Sequence, residues 1–206
     1  MANEVLDNRN TAIAGARPDR MPPHILKYDG LGKFALLALA LLVTLAACSG
    51  STSGGDLKSA PNFPFTLYQG ENELGDSSLG LADLQGKPVV LNFWAGLCPP
   101  CRAEMLDFQL FYKEFQDDVT LIGIDVGQYA GLGNQTDARN LLKDLSVTYP
   151  AGYTNDDRVI RLYELFGIPS TVFINSKGEI FRTWSGFLNL KILADISNEM
   201  LAQEST

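Results

Sequence analysis

A chain of 206 residues suits one domain with extensions, and its 46% apolar content is that of a globular protein. Against 24 Asp and Glu stand only 16 Lys and Arg, a formal charge of −8. That balance argues against a nucleic-acid partner, which wants a basic face, and serves solubility instead.

Residues 1–20 are polar, carry Arg9, Arg17 and Arg20 without an apolar period, and read as leader-like. From Met21, itself a candidate start, the pattern changes. His24, Lys27 and Lys33 precede FALLALALLVTLAA, residues 34–47, which hold no charge. At 14 residues this run is shorter than the roughly 20 of a membrane span and has the length of a signal-peptide apolar region. It ends in Leu45-Ala46-Ala47-Cys48, small residues before a cysteine, which resembles the bacterial lipobox. The expectation is a leader over residues 1–47 and lipidation at Cys48. Residues 48–60, rich in Gly and Ser, then form a flexible tether reaching on the order of 20 Å. The folded domain occupies residues 61–206. Such a protein sits outside the cytoplasm, anchored by lipid on the periplasmic side of the bacterial cell membrane.

Past residue 61 the pattern alternates between strand and helix. Strands are expected over 63–67 and 71–74 about a turn at Gln69-Gly70, and over 89–94 after the Gly86-Lys87-Pro88 turn. A helix follows Cys98, with Met105, Leu106, Phe108, Leu110, Phe111 and Phe115 as its apolar face. VTLIGIDV, residues 119–126, reads as a strand covered on both faces. A three-glycine loop spans 127–133, and a helix over 136–145 takes Thr136 as its cap. A short strand is expected over 149–153. A helix capped by Asp156 or Asp157 runs to Phe166, where Gly167 stops it and Pro169 forbids its continuation. A hairpin over 171–175 and 179–184 turns at Ser176-Lys177-Gly178, and an amphipathic helix over 188–202 closes the chain.

The chemistry concentrates in VVLNFWAGLCPPC, residues 89–101. An apolar strand runs into Cys-x-x-Cys at the start of a helix, a thioredoxin-like redox pattern. Cysteines at i and i+3 lie one turn apart on one face, within disulfide reach. The first sulfur sits where unpaired N–H groups and the helix dipole favour the thiolate, which is the nucleophile. Cys98 is therefore the candidate exposed attacking thiol, and Cys101 the more buried resolving thiol. A zinc site would need four ligands, and only Cys48 and His24, both in or beside the leader, remain to supply nitrogen or sulfur. The mature chain holds no histidine, which removes Cys–His and Ser–His–Asp catalysis. No metal or cofactor is expected.

Phe93-Trp94-Ala95, Cys98-Pro99-Pro100-Cys101, Arg102-Ala103-Glu104 and Gly167-Ile168-Pro169-Ser170-Thr171 together resemble the TlpA/ResA-like family. These are membrane-tethered thioredoxin-fold thiol–disulfide oxidoreductases of the redoxin superfamily. The resemblance implies an α/β thioredoxin-like fold: a central mixed sheet flanked by helices, N-terminal extension strands and an insertion after the central strand. It also implies a redox disulfide between Cys98 and Cys101 and a cis Pro169 opposite them, with Ile168 beside the substrate. Glu104 falls where the family often carries a glutamate. Buried there, it would have a raised pKa and shuttle the proton of Cys101. Asn92, where thioredoxin carries an aspartate, cannot titrate. Leu97 replaces the family's usual tryptophan at the lip of the site. Trp94 is expected in the core, close enough to feel the redox state and counted with the substrate-binding residues.

The expected function is reduction of disulfides in client proteins, apocytochrome c among the candidates. Electrons come from a membrane thiol donor, and the protein acts as a monomer. Pro99 and Pro100 carry no N–H to stabilise a thiolate, which favours a reductant over an oxidant. Two alternative readings compete with this one. A thioredoxin-fold peroxidase would carry Pro-x-x-x-Thr-x-x-Cys, but Leu91 and Ala95 stand at those places. A copper or thiol-binding chaperone would use a wider cysteine spacing and a histidine.

Overall fold

A computed structural model of the chain describes residues 57–205. The expected leader, Cys48 and the tether up to residue 56 lie outside the described residues. Folded structure begins earlier than residue 61. Ser59 bridges Glu179, and the Ala60 N–H donates to the Gly178 carbonyl at 2.8 Å, so the end of the expected tether is part of the domain.

Seven strands form one mixed sheet: β1 (Pro64–Gln69), β2 (Ser78–Gly80), β3 (Val89–Trp94), β4 (Thr120–Asp125), β5 (Ala151–Tyr153), β6 (Ser170–Ile174) and β7 (Ile180–Ser185). Their order is β2-β1-β5-β4-β3-β6-β7. β3, β4 and β5 run parallel, and the outer pairings are antiparallel. The helices are α1 (Glu71–Leu74), α2 (Pro99–Phe115), α3 (Gly127–Ala130), α4 (Gln135–Asp144), α5 (Arg158–Leu162) and α6 (Leu190–Glu204). This is the expected α/β thioredoxin-like architecture. The insertion is α3, α4 and β5, which extend the sheet beyond β4.

Central strands are buried on both faces, and period-2 alternation divides them. Val90 and Trp94 of β3, Leu121 of β4 and Phe173 of β6 pack with Met105, Phe108 and Phe111 of α2 and Leu193 and Ile196 of α6. Leu91, Phe93, Ile122, Ile124 and Val172 face the other way, toward Phe63, Phe65 and Tyr163. Asn92 belongs to the α2 side by the same alternation.

Local chemistry explains the departures from the expected elements. Glu71–Leu74 is a single helical turn, not a strand: Gly70 and Gly75 take left-handed backbone at its ends, and none of its residues is buried. Ser78–Gly80 supplies the strand instead. The first half of the expected 127–133 loop is the helical turn α3. Asn134, not Thr136, caps α4 by accepting from the N–H groups of Thr136 and Asp137. α5 ends at Leu162, because Glu164 is the left-handed residue and Gly167 is not. The 149–153 strand starts only at Ala151, and α6 starts at Leu190 behind the cap Asn189. Leu106 and Leu110 are not part of the apolar face of α2; they are 54% and 51% exposed.

Candidate active site

β3 delivers the chain to the rim of the sheet, and α2 begins there. Cys98 is the N-cap of α2, in extended backbone, with Pro99 and Pro100 behind it. Proline suits this first turn because its fixed φ is helical and its missing N–H would be unpaired anyway. Cys98 and Cys101 form a disulfide, with S–S 2.02 Å and Cα–Cα 5.3 Å. With two prolines between them, the N–H that reaches Cys98 Sγ is that of Cys101 itself, at 3.3 Å.

The loop ahead of Cys98 is clamped by the insertion. The Leu97 N–H donates to the Leu132 carbonyl at 2.8 Å. Gly96 lies flat on the start of α4, where a Cβ would come within 2.5 Å of the Ala138 nitrogen. Across from the disulfide, the Ile168–Pro169 bond is cis, and the Ile168 carbonyl oxygen lies 3.8 Å from Cys98 Sγ. The Pro169 carbonyl is taken by the Gly186 N–H at 2.9 Å, and Ser170 Oγ donates to the Gly167 carbonyl at 2.8 Å, which holds the turn.

Cys98 is less exposed than expected. It keeps 2% of its surface and Cys101 none, so the difference has the expected sign but a small size. Leu97, 59% exposed, stands over the site instead. A shallow depression of ≈ 220 Å³ beside the disulfide is lined by Gly96, Leu97, Cys98, Pro99 and Arg102. Trp94 is fully buried, with Gly123 of β4 making room for its indole. It packs beneath the loop and is closed to a client, which corrects its place among the substrate-binding residues. A cavity of ≈ 380 Å³ lined by Asn62, Leu84, Lys87 and Ile174 lies at the opposite end of β3, away from the cysteines.

Glu104 is fully buried, one turn beyond Cys101 on the same face of α2. Asn92 Nδ2 donates to its Oε1 at 2.9 Å, and the Leu188 N–H donates to its Oε2 at 3.1 Å. Burial pushes the Glu104 carboxyl up to about 7, against the pull of those two donors. Asn92 Nδ2 also donates to Thr171 Oγ1 at 3.2 Å. Sequence reading does not single out Asn92 as a partner of Glu104, or Thr171 as the second partner of Asn92. Their signal was present: a lone polar residue in VVLNFW, a fully buried strand, must find a partner.

Residues 58–183 match the family model described as AhpC/TSA family. The chain is 32% identical over 147 residues to the thiol-disulfide oxidoreductase ResA of Oceanobacillus iheyensis, covering 71% of this chain and 73% of that protein. It is 27% identical over 164 residues to ResA of Bacillus subtilis, covering 79% and 86%. Among solved structures, the thiol:disulfide interchange protein DsbE of Chlorobium tepidum shares the fold at TM-score 0.60 and 20% identity, over 70% of this chain and 96% of that one. A cysteine pair at the N-terminus of a helix on a thioredoxin-like sheet thus comes with a matching sequence over most of the domain, and the chain belongs to the AhpC/TSA family, alongside its ResA-type thiol–disulfide oxidoreductases.

Proposed function

We propose that the protein is an extracytoplasmic disulfide reductase in which Cys98 is the nucleophile, Cys101 the resolving thiol and Glu104 the proton acceptor. The carrying observation is the disulfide at the N-terminus of α2, facing the Ile168–Pro169 turn, with a buried carboxyl one turn behind it. In the reduced protein the Cys98 thiolate attacks one sulfur of a client disulfide. That bond breaks, a mixed disulfide forms and the first client thiolate leaves. Cys101 gives its proton to Glu104, its sulfur attacks Cys98 Sγ, and the second client thiolate leaves. The client gains two electrons, and the Cys98–Cys101 disulfide of this structure is the product. An external dithiol, which we assign to the membrane, returns the electrons.

Ile168 and Pro169 border the sulfur, and Leu97 overhangs it, so these residues are the proposed client contacts. Among the described residues the Cys101 N–H is the backbone donor at Cys98 Sγ, and the two prolines between the cysteines have none to add. A thinly stabilised thiolate disfavours the reduced form and lowers the potential, which supports a reductant. The leader-like residues 1–47 and Cys48 support lipid anchoring outside the cytoplasmic membrane. Periplasmic thiol proteins and apocytochrome c are the proposed clients. Leu91 and Ala95, both buried in place of the peroxidase Pro and Thr, offer peroxide no polar group.

The test is the equilibrium potential of the pair against glutathione or dithiothreitol, followed by Trp94 fluorescence. A value at or below about −250 mV is expected, and one near −120 mV would make the protein an oxidant. In the same protein Cys101→Ser should accumulate a mixed disulfide through Cys98, and its absence would remove Cys98 as nucleophile. Palmitate labelling lost in Cys48→Ser tests the anchor; labelling that survives the change would reject it.

A further inference from the structure

We propose that Asn92, itself held by Thr171, is a positioning residue that fixes the Glu104 carboxyl toward Cys101 and sets how readily it accepts that cysteine's proton. The proposal rests on Glu104 as the proton acceptor of the reaction above.

Asn92 lies in the middle of β3, directly opposite Thr171 of β6 in the antiparallel register. Its amide nitrogen has two hydrogens. One goes to Glu104 Oε1 at 2.9 Å, the other to Thr171 Oγ1 at 3.2 Å. An ionised carboxylate only accepts, so the amide nitrogen, rather than its oxygen, has to face Glu104. Thr171 anchors the second hydrogen and thereby stops the amide from turning over. All three side chains are buried, at 1% exposure for Asn92 and 0% for Thr171 and Glu104, so water cannot replace a lost partner at little cost.

The arrangement needs three elements. β3 places Asn92, β6 places Thr171 two residues after Pro169, and α2 places Glu104 one turn after Cys101. The segment before α6 supplies the third hydrogen bond of the group, the Leu188 N–H on Oε2. Among the described residues no ion pair reaches Glu104. Tyr149 is the other titratable group that senses its charge; the tyrosine is fully buried and its hydroxyl is held neutral in part by Glu104. With burial pushing the proton on and no cation pulling it off, the two donors are what favour the ionised form. Asn92 is the side-chain member of that pair. It also links the acceptor to the strand that starts at the client-facing turn.

The experiment is a carbon-13 carboxyl titration of the purified full-length oxidised protein labelled at glutamate, with the Glu104 signal assigned by its loss in Glu104→Gln. Asn92→Leu should raise the Glu104 midpoint by roughly one to two pH units, the range expected when a hydrogen bond to a charged group is removed. Thr171→Val should raise it less, and Thr171→Ser, which keeps the hydroxyl, should restore the original midpoint. The threonine pair carries the test should Asn92→Leu fail to fold.

Kinetics supply the second readout. Reduced protein releases two thionitrobenzoates from Ellman's reagent, the first by Cys98 attack and the second by Cys101 resolution. The pH dependence of the second phase should move with the titration midpoint. Midpoints unchanged in Asn92→Leu and Thr171→Val, with the second phase still slowed in Glu104→Gln, overturn the positioning role alone. A second phase unaffected by Glu104→Gln removes Glu104 as acceptor, and the proposal with it.

Discussion

Glu104 carries a conflict between burial and charge that a pH titration can read. In the unfolded chain it titrates near 4.5, and in the fold near 7. Between those values the folded protein keeps a proton that the unfolded chain has released. The stability this brings is fully present below about pH 4.5 and is lost as the pH rises through about 7, a change of roughly 3 kcal/mol. Asp125 is also raised by burial, so the whole protein will show other pH effects. The expected outcome concerns the difference. Urea unfolding of the oxidised wild type should lose stability between about pH 5 and about pH 8, and Glu104→Gln should lose less by roughly that amount. The amide will be less stable at low pH, because whichever way it sits, its NH₂ faces one of the two donors, Asn92 Nδ2 or the Leu188 N–H. Equal pH slopes in the two proteins would mean that Glu104 is not the group that titrates.

At the scale of elements, the redox helix is held by a segment far from it in sequence. α4 presses its first turn onto Gly96, and Leu132 takes the Leu97 N–H. A methyl at residue 96 meets backbone atoms of Asp137 and Ala138 at 2.6 and 2.5 Å, and a helix terminus cannot give way as a side chain can. Gly96→Ala should destabilise the protein by about 1–3 kcal/mol, as overpacking does, and slow thiol exchange by displacing Leu97 and Cys98. Asn134→Ala weakens the same helix without touching the loop, and should remove about 1 kcal/mol while leaving exchange rates as they are. If both variants slowed exchange equally, the effect would belong to stability and not to the clamp. This contact was not legible in the sequence. Strand β3, helix α2 and their cysteines were, because a fully apolar run and a Cys-Pro-Pro-Cys helix start have few other solutions. The short elements misled: α1 and α3 are single turns fixed by glycine backbone, and too short to show a period. The cap of α4 moved from Thr136 to Asn134 because the two neighbours are both good cap residues, and only geometry separates them.

At the scale of the whole domain, few large apolar side chains are exposed among the described residues, and half of them belong to segments that frame the disulfide. Leu97 precedes Cys98, Phe166 lies two residues before Ile168, and Phe187 follows Gly186, whose N–H holds the Pro169 carbonyl; they are 59%, 92% and 45% exposed. Composition pointed only to a soluble acidic domain, because it carries no information on where the exposed residues gather. Topology decides that: β3, β6 and the end of β7 meet at one rim, and the loops leaving them share it. In the proposed reaction, with Cys98 nearly closed, this rim is where a client would seat before its disulfide meets the sulfur. Covering a side chain such as Phe166 removes enough apolar surface that its loss should weaken client binding roughly tenfold. Phe166→Ser and Phe187→Ser should therefore raise KM for a protein disulfide such as insulin far more than they slow reaction with Ellman's reagent, which is too small to reach the rim. Leu110→Ser, on the exposed face of α2, removes a comparable apolar group and should leave the insulin KM unchanged. An equal rise in KM for all three variants would assign the effect to general surface hydrophobicity, and no rise in either phenylalanine variant would leave the depression beside Cys98 as the sole docking contact.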